Sequence, residues 1–286
     1  MKLVAYNLAR QHITCVRDLQ GTEDSSHSRY TPIVAEARNR LSLFRILHRN
    51  FLEWRSFVDD LLNPKTKEVD DTLDELNRLL LNYLTCSYTI REHFEVSFQH
   101  RYRNEPIKRD EYDKFVESLS MSCWSFAFFL DFRGYVQHRG FGVGHYSRRV
   151  DQTEVHVKID IESADLLSES RNWKHSNLSV SHGTIDLITH LQEFHLCLLQ
   201  QYAAYVARTF FPELRDAAQF YARLTAEAKR KDPFARMVFL EGTPQVIREE
   251  SNINTTLNFV YVPNSLFEEL GIKVSANPDS SDARRA

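Results

Sequence analysis

Residues 71–102 read DTLDELNRLLLNYLTCSYTIREHFEVSFQHRY. Leu73, Leu76, Leu80, Tyr83, Leu84, Tyr88, Phe94 and Phe98 follow the helical period, which places them on one stripe of an α-helix. Ser87 and Arg91 fall on that same face, while Asn82, Thr85, Thr89 and the pair Glu92/His93 run beside it. Pro106 closes the segment, because proline removes a backbone donor and clashes with the preceding turn. A long helix with one apolar stripe must bury that stripe against other elements, so the segment predicts a helical body.

Working outward, Ile33, Ala37, Leu41, Phe44, Leu47, Phe51, Trp54 and Val58 keep the helical period as far as Leu62, where Asn63-Pro64 stops it. Thr31-Pro32 suits the start of that helix, and GTEDSSHSRYTP before it reads as a loop. A third helix is predicted from Arg109 to about Gln137, carrying Tyr112, Phe115, Leu119, Trp124, Phe126 and Phe129. The pattern then changes to alternation: Val155, Val157, Ile159 and Ile161 face one way, with His156, Lys158 and Asp160 opposite, as in a half-buried strand. SESRNWKHSNLSVSHG reads as a loop with a short strand at Leu178–Val180. Helices over 184–211 and 212–230 follow, then strands near Met237–Leu240 and Thr256–Val262 and a short helix.

The expected fold is mainly α, a helical bundle over 32–235 with a small β insertion at about 150–180. Around it stand an N-terminal loop segment (1–31), a C-terminal β/α element (236–274) and a disordered tail, SANPDSSDARRA, at 275–286.

Composition narrows the function classes. Lys and Arg number 36 against 39 Asp and Glu, a net charge of −3, so no overall basic surface for polyanions exists and any such site must be local. Cys15, Cys86, Cys123 and Cys197 are scattered and form no Cys-x-x-Cys pair, which argues against a zinc knuckle or a disulfide framework. His175 and His182 bracket a loop with no carboxylate at metal-ligand spacing, and His190 and His195 lie on an apolar helix as core or surface residues. No apolar run approaches the roughly 20 residues of a membrane span. No metal, cofactor or membrane is therefore expected, and the expected location is cytoplasmic.

The least ordinary feature is a clustering of glycine and basic residues. Gly134, Gly140, Gly142 and Gly144 are four of the eight glycines of the chain, and they share their window with Arg133, His138, Arg139, His145, Arg148 and Arg149. Arginine offers a planar fork of donors to phosphate, and histidine moves protons near neutral pH. The same residues also suit a plain helix C-terminus, where glycine terminates and cations oppose the dipole.

FLDFRGYVQHRGFGVG, residues 129–144, resembles the signature region of the HEPN superfamily, in which an Arg and a His lie a few residues apart at the end of a long helix. Arg133 and His138 match that pair, Tyr135, Arg139 and Gly140 match common neighbours, and Gly134 stands where the family has Asn or another polar residue. The resemblance covers residues 32–144 and the helix at 184–211. It implies a helical bundle that forms a homodimer with a composite active site, and a metal-independent endoribonuclease acting in phage defence or toxin–antitoxin control. It implies further that Arg133 and His138 are catalytic, that Tyr135, Gln137, Arg139 and His145 shape the RNA site, and that an antitoxin or defence-system partner exists. Asn82, Glu92 and His93 are the expected supporting residues around His138. Cleavage through the ribose 2′-hydroxyl would leave 2′,3′-cyclic phosphate and 5′-hydroxyl ends. The alternative is a catalytically silent HEPN-like module that binds a partner or nucleotide, which Gly134 favours. Residues five apart on an ideal helix point about 140° apart, so both reach one phosphate only if the helix loosens or a second copy completes the site.

Overall fold

A computed structural model describes residues 1–7, 12–66, 71–140, 142–151, 154–170, 172–234, 237–241, 245–249, 252–256, 259–261 and 266–267. The tail at 275–286 and the short C-terminal helix beyond Phe267 lie outside them. The protein is mainly α, as expected, and it divides into two units: Met1–Asn39 with Phe210–Ala286, and Arg40–Thr209. This division departs from a single bundle over 32–235, because the first helix is shared between the units and the last long helix belongs with the two chain ends.

The terminal unit is built on an antiparallel sheet of β1 (Lys2–Asn7), β2 (His12–Asp18), β6 (Met237–Glu241) and β9 (Phe259–Tyr261), in the order β2-β1-β6-β9. β7 (Gln245–Glu249) and β8 (Asn252–Thr256) form a separate hairpin. The N-terminal segment is thus not a loop. Leu3, Val4 and Ala5 of β1 are buried in succession, which is how a central strand covered on both faces reads. Helix α7 (Phe211–Lys231) packs on β1.

Helix α1 (Gly21–Leu61) begins eleven residues before the predicted start at Pro32, inside the stretch that reads as a loop. Its serines do not compete with the helix. Ser25 and Ser26 donate to the carbonyls of Gly21 and Thr22, and Thr31 donates to that of His27, four residues back in each case. Buried Glu23 anchors this end: its carboxylate accepts from Arg17 and Arg223 and from the Gln20 backbone N–H, while Arg17 also pairs with Glu227 on α7. These guanidinium partners hold the Glu23 carboxyl below its usual range.

The second unit holds the rest of α1 with α2 (Thr72–Arg101), α3 (Pro106–Ser122), α4 (Trp124–His138), α5 (Ser163–Glu169) and α6 (Leu187–Thr209). A three-stranded antiparallel sheet of β3 (His145–Asp151), β4 (Glu154–Glu162) and β5 (Thr184–Asp186) is inserted after α4. On β4 Ile159 and Ile161 are buried as the alternation predicts, but Asp160 between them is buried too and pairs with Lys158. Leu178–Val180 forms no strand; a 3-10 turn at Val180–His182 follows instead.

The single predicted helix from Arg109 to Gln137 is two helices. Cys123 takes an extended conformation (φ −131°, ψ 99°), and the chain turns there without proline or glycine. Ser118, Ser120 and Ser122 donate side-chain bonds to the carbonyls of Phe115, Val116 and Leu119, the local competition that weakens a helix interior. Beyond the break, Phe126, Phe128, Phe129 and Phe132 are fully buried. They stack with Trp124, Trp173 and Phe194, so they belong to the core of this unit. No helix among the described residues is long and apolar enough to cross a membrane.

Candidate functional site

Helix α4 stays regular through its last residue, His138; Gly134 does not loosen it. Arg133 and His138 therefore point about 140° apart, and one chain does not bring them to a single phosphate.

Arg133 is half-buried on the inner side. Its guanidinium carbon lies 3.6 Å from the centroid of the Tyr88 ring, a cation–π arrangement, and Tyr88 is in turn engaged by Glu92. Among the described residues the buried Nε of Arg133 has no acceptor. Ser87, Tyr88, Arg91, Phe129, Phe194 and Leu198 line a niche around it of about 10 Å³, room for no more than one water. Ser87 and Arg91 were legible as polar members of the apolar stripe of α2; the role of Tyr88 as a platform for Arg133 was not, because a tyrosine on such a stripe reads as core.

The other residues singled out from sequence scatter. His138, Gln137 and Arg139 are exposed at the end of α4, and His145 is exposed at the start of β3. Tyr135 is buried, stacked on Phe132, and donates to the Glu169 carboxylate at 2.7 Å. Burial first and Glu169 second push its phenol pKa upward. It therefore braces α4 against α5 and does not face an open cleft. Asn82, Thr85, Thr89 and His93 occupy the exposed face of α2 and do not line a cleft opposite His138; Glu92, exposed as well, meets Tyr88. Arg148 caps the end of α1, donating to the carbonyls of Leu61 and Asn63 at 2.7 and 2.9 Å.

Gly140 has a steric duty beside this brace. A Cβ there would stand 2.9 Å from the Tyr135 hydroxyl and 3.3 Å from the Glu169 carboxylate. Gly140→Ala is expected to cost about 1–3 kcal/mol through overpacking, read as a lower thermal midpoint. The same change in a Tyr135→Phe background should cost clearly less, since the oxygen it strikes is gone. Equal costs in both backgrounds would refute the contact.

Next to the Arg133 niche, and sharing Arg91 and Leu130 with it, lies an open cleft of about 360 Å³ between α2, α3 and α6. Glu95, Asp113 and Glu117 line it with Tyr112, His175 and Gln201. Three carboxylates there make the cleft itself unfavourable to a polyanion.

Sequence reading placed His195 on an apolar helix as a core or surface residue, and it lies in the core. It sits face to face on Phe51 at 3.9 Å, with Nδ1 3.0 Å from the Tyr83 hydroxyl and Nε2 3.1 Å from Nδ1 of exposed His48. Ser125, His190 and Glu193 also touch, but the one ring nitrogen of His190 meets both partners and Ser125 donates to Glu193. A base that shares its only contacting nitrogen with the carboxylate cannot relay a proton from the serine, so this is no hydrolytic triad. Among the described residues no three His, Cys, Asp or Glu converge where a metal could sit. No protein-family model, no curated protein and no solved structure matches this chain.

Proposed function

We propose that the chain is a metal-independent endoribonuclease of HEPN type, active as a homodimer, with a defence or toxin–antitoxin role. The observation that carries this reading is Arg133, a guanidinium held over the Tyr88 ring beside Arg91 with a buried Nε that has no acceptor among the described residues. An arginine pre-positioned in this way suits an anion whose charge grows in a transition state. His138, exposed at the end of the same helix, supplies the general acid or base. Because α4 is regular, His138 of one copy would act with Arg133 of the other, and Gln137, Arg139 and His145 would line the path of the RNA.

The deciding experiment incubates wild type, His138→Ala and Arg133→Ala with mixed cellular RNA in chelator and maps the product ends. Wild type should leave 2′,3′-cyclic phosphates and 5′-hydroxyls, and His138→Ala should lose about 10²–10⁴-fold in rate. Ends carrying 5′-phosphate, or cleavage abolished by chelator, would refute the mechanism. A second reading, a silent partner- or nucleotide-binding module, is favoured by the small Arg133 niche and the carboxylates beside it. It predicts no cleavage by any of the three folded proteins.

A further inference from the structure

The open cleft between α2, α3 and α6 holds chemistry that the nuclease reading leaves unused. Asp113 and Glu117 line it from α3, one helical turn apart, and Glu95 joins them from α2. Two contacts set these helices side by side. The Tyr112 ring stacks on Phe98 with centroids 4.3 Å apart, and Gln99 Nε2 donates to Asp113 Oδ1 at 3.4 Å. The three carboxylates belong to exposed residues and form the rim. Lys114, which lies between Asp113 and Glu117 in sequence, is held by Asp110 at 2.7 Å instead. Arg91 is the one guanidinium among the lining residues, so with His175 neutral the lining has an excess of negative charge. The inner wall differs from the rim. Tyr112 and Gln201 are each 2% exposed, and Oε1 of Gln201 is buried with no donor among the described residues. A buried acceptor left without a donor is costly, and an N–H at the inner end of the cleft would satisfy it. Among the described residues no three His, Cys, Asp or Glu converge, so the negative charge is spread along the cleft and does not suit one metal ion. Its volume of about 360 Å³ lies at the lower end of the range for small-ligand sites, roughly 300–1,000 Å³.

We propose that this cleft binds a linear polyamine. Ammonium groups separated by short methylene chains match carboxylates that are separated in the same way, with Asp113 and Glu117 on α3 and Glu95 on α2. An ammonium carries donors and no acceptor, which suits a lining whose unfilled groups are carboxylates and the Gln201 oxygen. Val116 and Leu130 give the methylenes an apolar surface, and one N–H reaches Gln201 Oε1. A compact metal ion would meet too few ligands at any one point, and a phosphate-bearing ligand would meet like charge. The site is independent of the nuclease reading: Arg91 is the one polar residue it shares with the Arg133 niche.

The test titrates spermidine, a linear triamine, into the full chain and reads calorimetric heat and the thermal midpoint. Ionic strength is held at about 0.15 M so that bulk screening stays constant. The expected result is saturable one-to-one binding with a rising midpoint. The double variant Asp113→Asn/Glu117→Gln should bind at least about tenfold more weakly, because two of the three rim charges are gone. Both side chains are exposed, so the folded state survives the change, and circular dichroism of the variant checks that it does. Magnesium at the same ionic strength should raise the midpoint far less. The proposal is overturned if spermidine shows no saturable binding, if the folded double variant binds as tightly as wild type, or if magnesium reproduces the rise. Saturable binding of a lysine-rich peptide without binding of spermidine would also overturn it, in favour of a protein partner.

Discussion

Acidification from pH 6.5 towards 4 is expected to remove about 3 kcal/mol of stability through His195 alone. Its ring is 3% exposed, and burial, with His48 as a second cause, lowers its pKa to about 4 from an ordinary 6.5. The sign follows from which state binds the proton more readily. The unfolded chain takes it up near 6.5, the folded chain only near 4, so falling pH favours unfolding across that window. The contribution is fully present above 6.5, is lost progressively down to about 4 and changes no further below. About two and a half pH units at 1.36 kcal/mol each give the magnitude. The geometry agrees, since the neutral ring satisfies both contacts: Tyr83 donates to Nδ1, and Nε2–H donates to His48. A charged ring would need two acceptors beside Phe51 and a second imidazole. Urea midpoints of wild type and His195→Gln at pH 7, 6, 5 and 4.5 measure the effect. The variant should be less stable at pH 7 but show a flatter decline. Parallel declines would sink the assignment. His27, pushed below the ordinary imidazole range by burial, adds in the same direction, so the comparison is best repeated in a His27→Gln background.

Phe194→Ala should be the costliest single truncation in the second unit, at about 3–5 kcal/mol. Phe194 is 2% exposed on α6 and touches the aromatic residues of two other helices: Tyr83 edge-on, Phe126 at 5.7 Å and Phe129 at 5.0 Å. Truncation removes the transfer free energy of the ring and leaves a cavity that neighbouring rings are too stiff to fill. It also opens the niche behind Arg133. Phe194→Leu should lose less than half as much. A loss under about 1.5 kcal/mol for the alanine variant would mean that this core collapses more readily than its packing implies.

The clearest successes of sequence reading were the long helices. α2 ends within a residue or two of the stretch from Asp71 to Tyr102, and its stripe from Leu76 to Phe98 is buried except for half-buried Tyr88, while Leu73 at the start is exposed. A stripe repeated over eight turns has one consistent interpretation. α7 ends at Lys231 for the same reason. The N-terminal strands were missed because an apolar run as short as Leu3–Tyr6 carries no local mark of pairing. Its partner β6 lies more than 230 positions away. The break at Cys123 was missed because serines weaken a helix without announcing its end, and only packing of α4 across α6 exploits that weakness.

The candidate site divides along similar lines. Arg133, Tyr135 and His138 were legible as a cluster, since glycine is scarce in this chain and four of eight fall in one window. Their separation followed from the regularity of α4, a question that sequence left open at Gly134. Periodicity and composition are properties of neighbours along the chain, and they settled a mainly α protein of near-neutral charge with amphipathic helices. Which residue faces which is a property of neighbours in space. The Tyr88 platform under Arg133 and the imidazole of His195 closed off from water both depend on helices brought together from distant parts of the sequence. No spacing rule within one segment could foresee them, because each requires the burial of two stripes against each other to set its register.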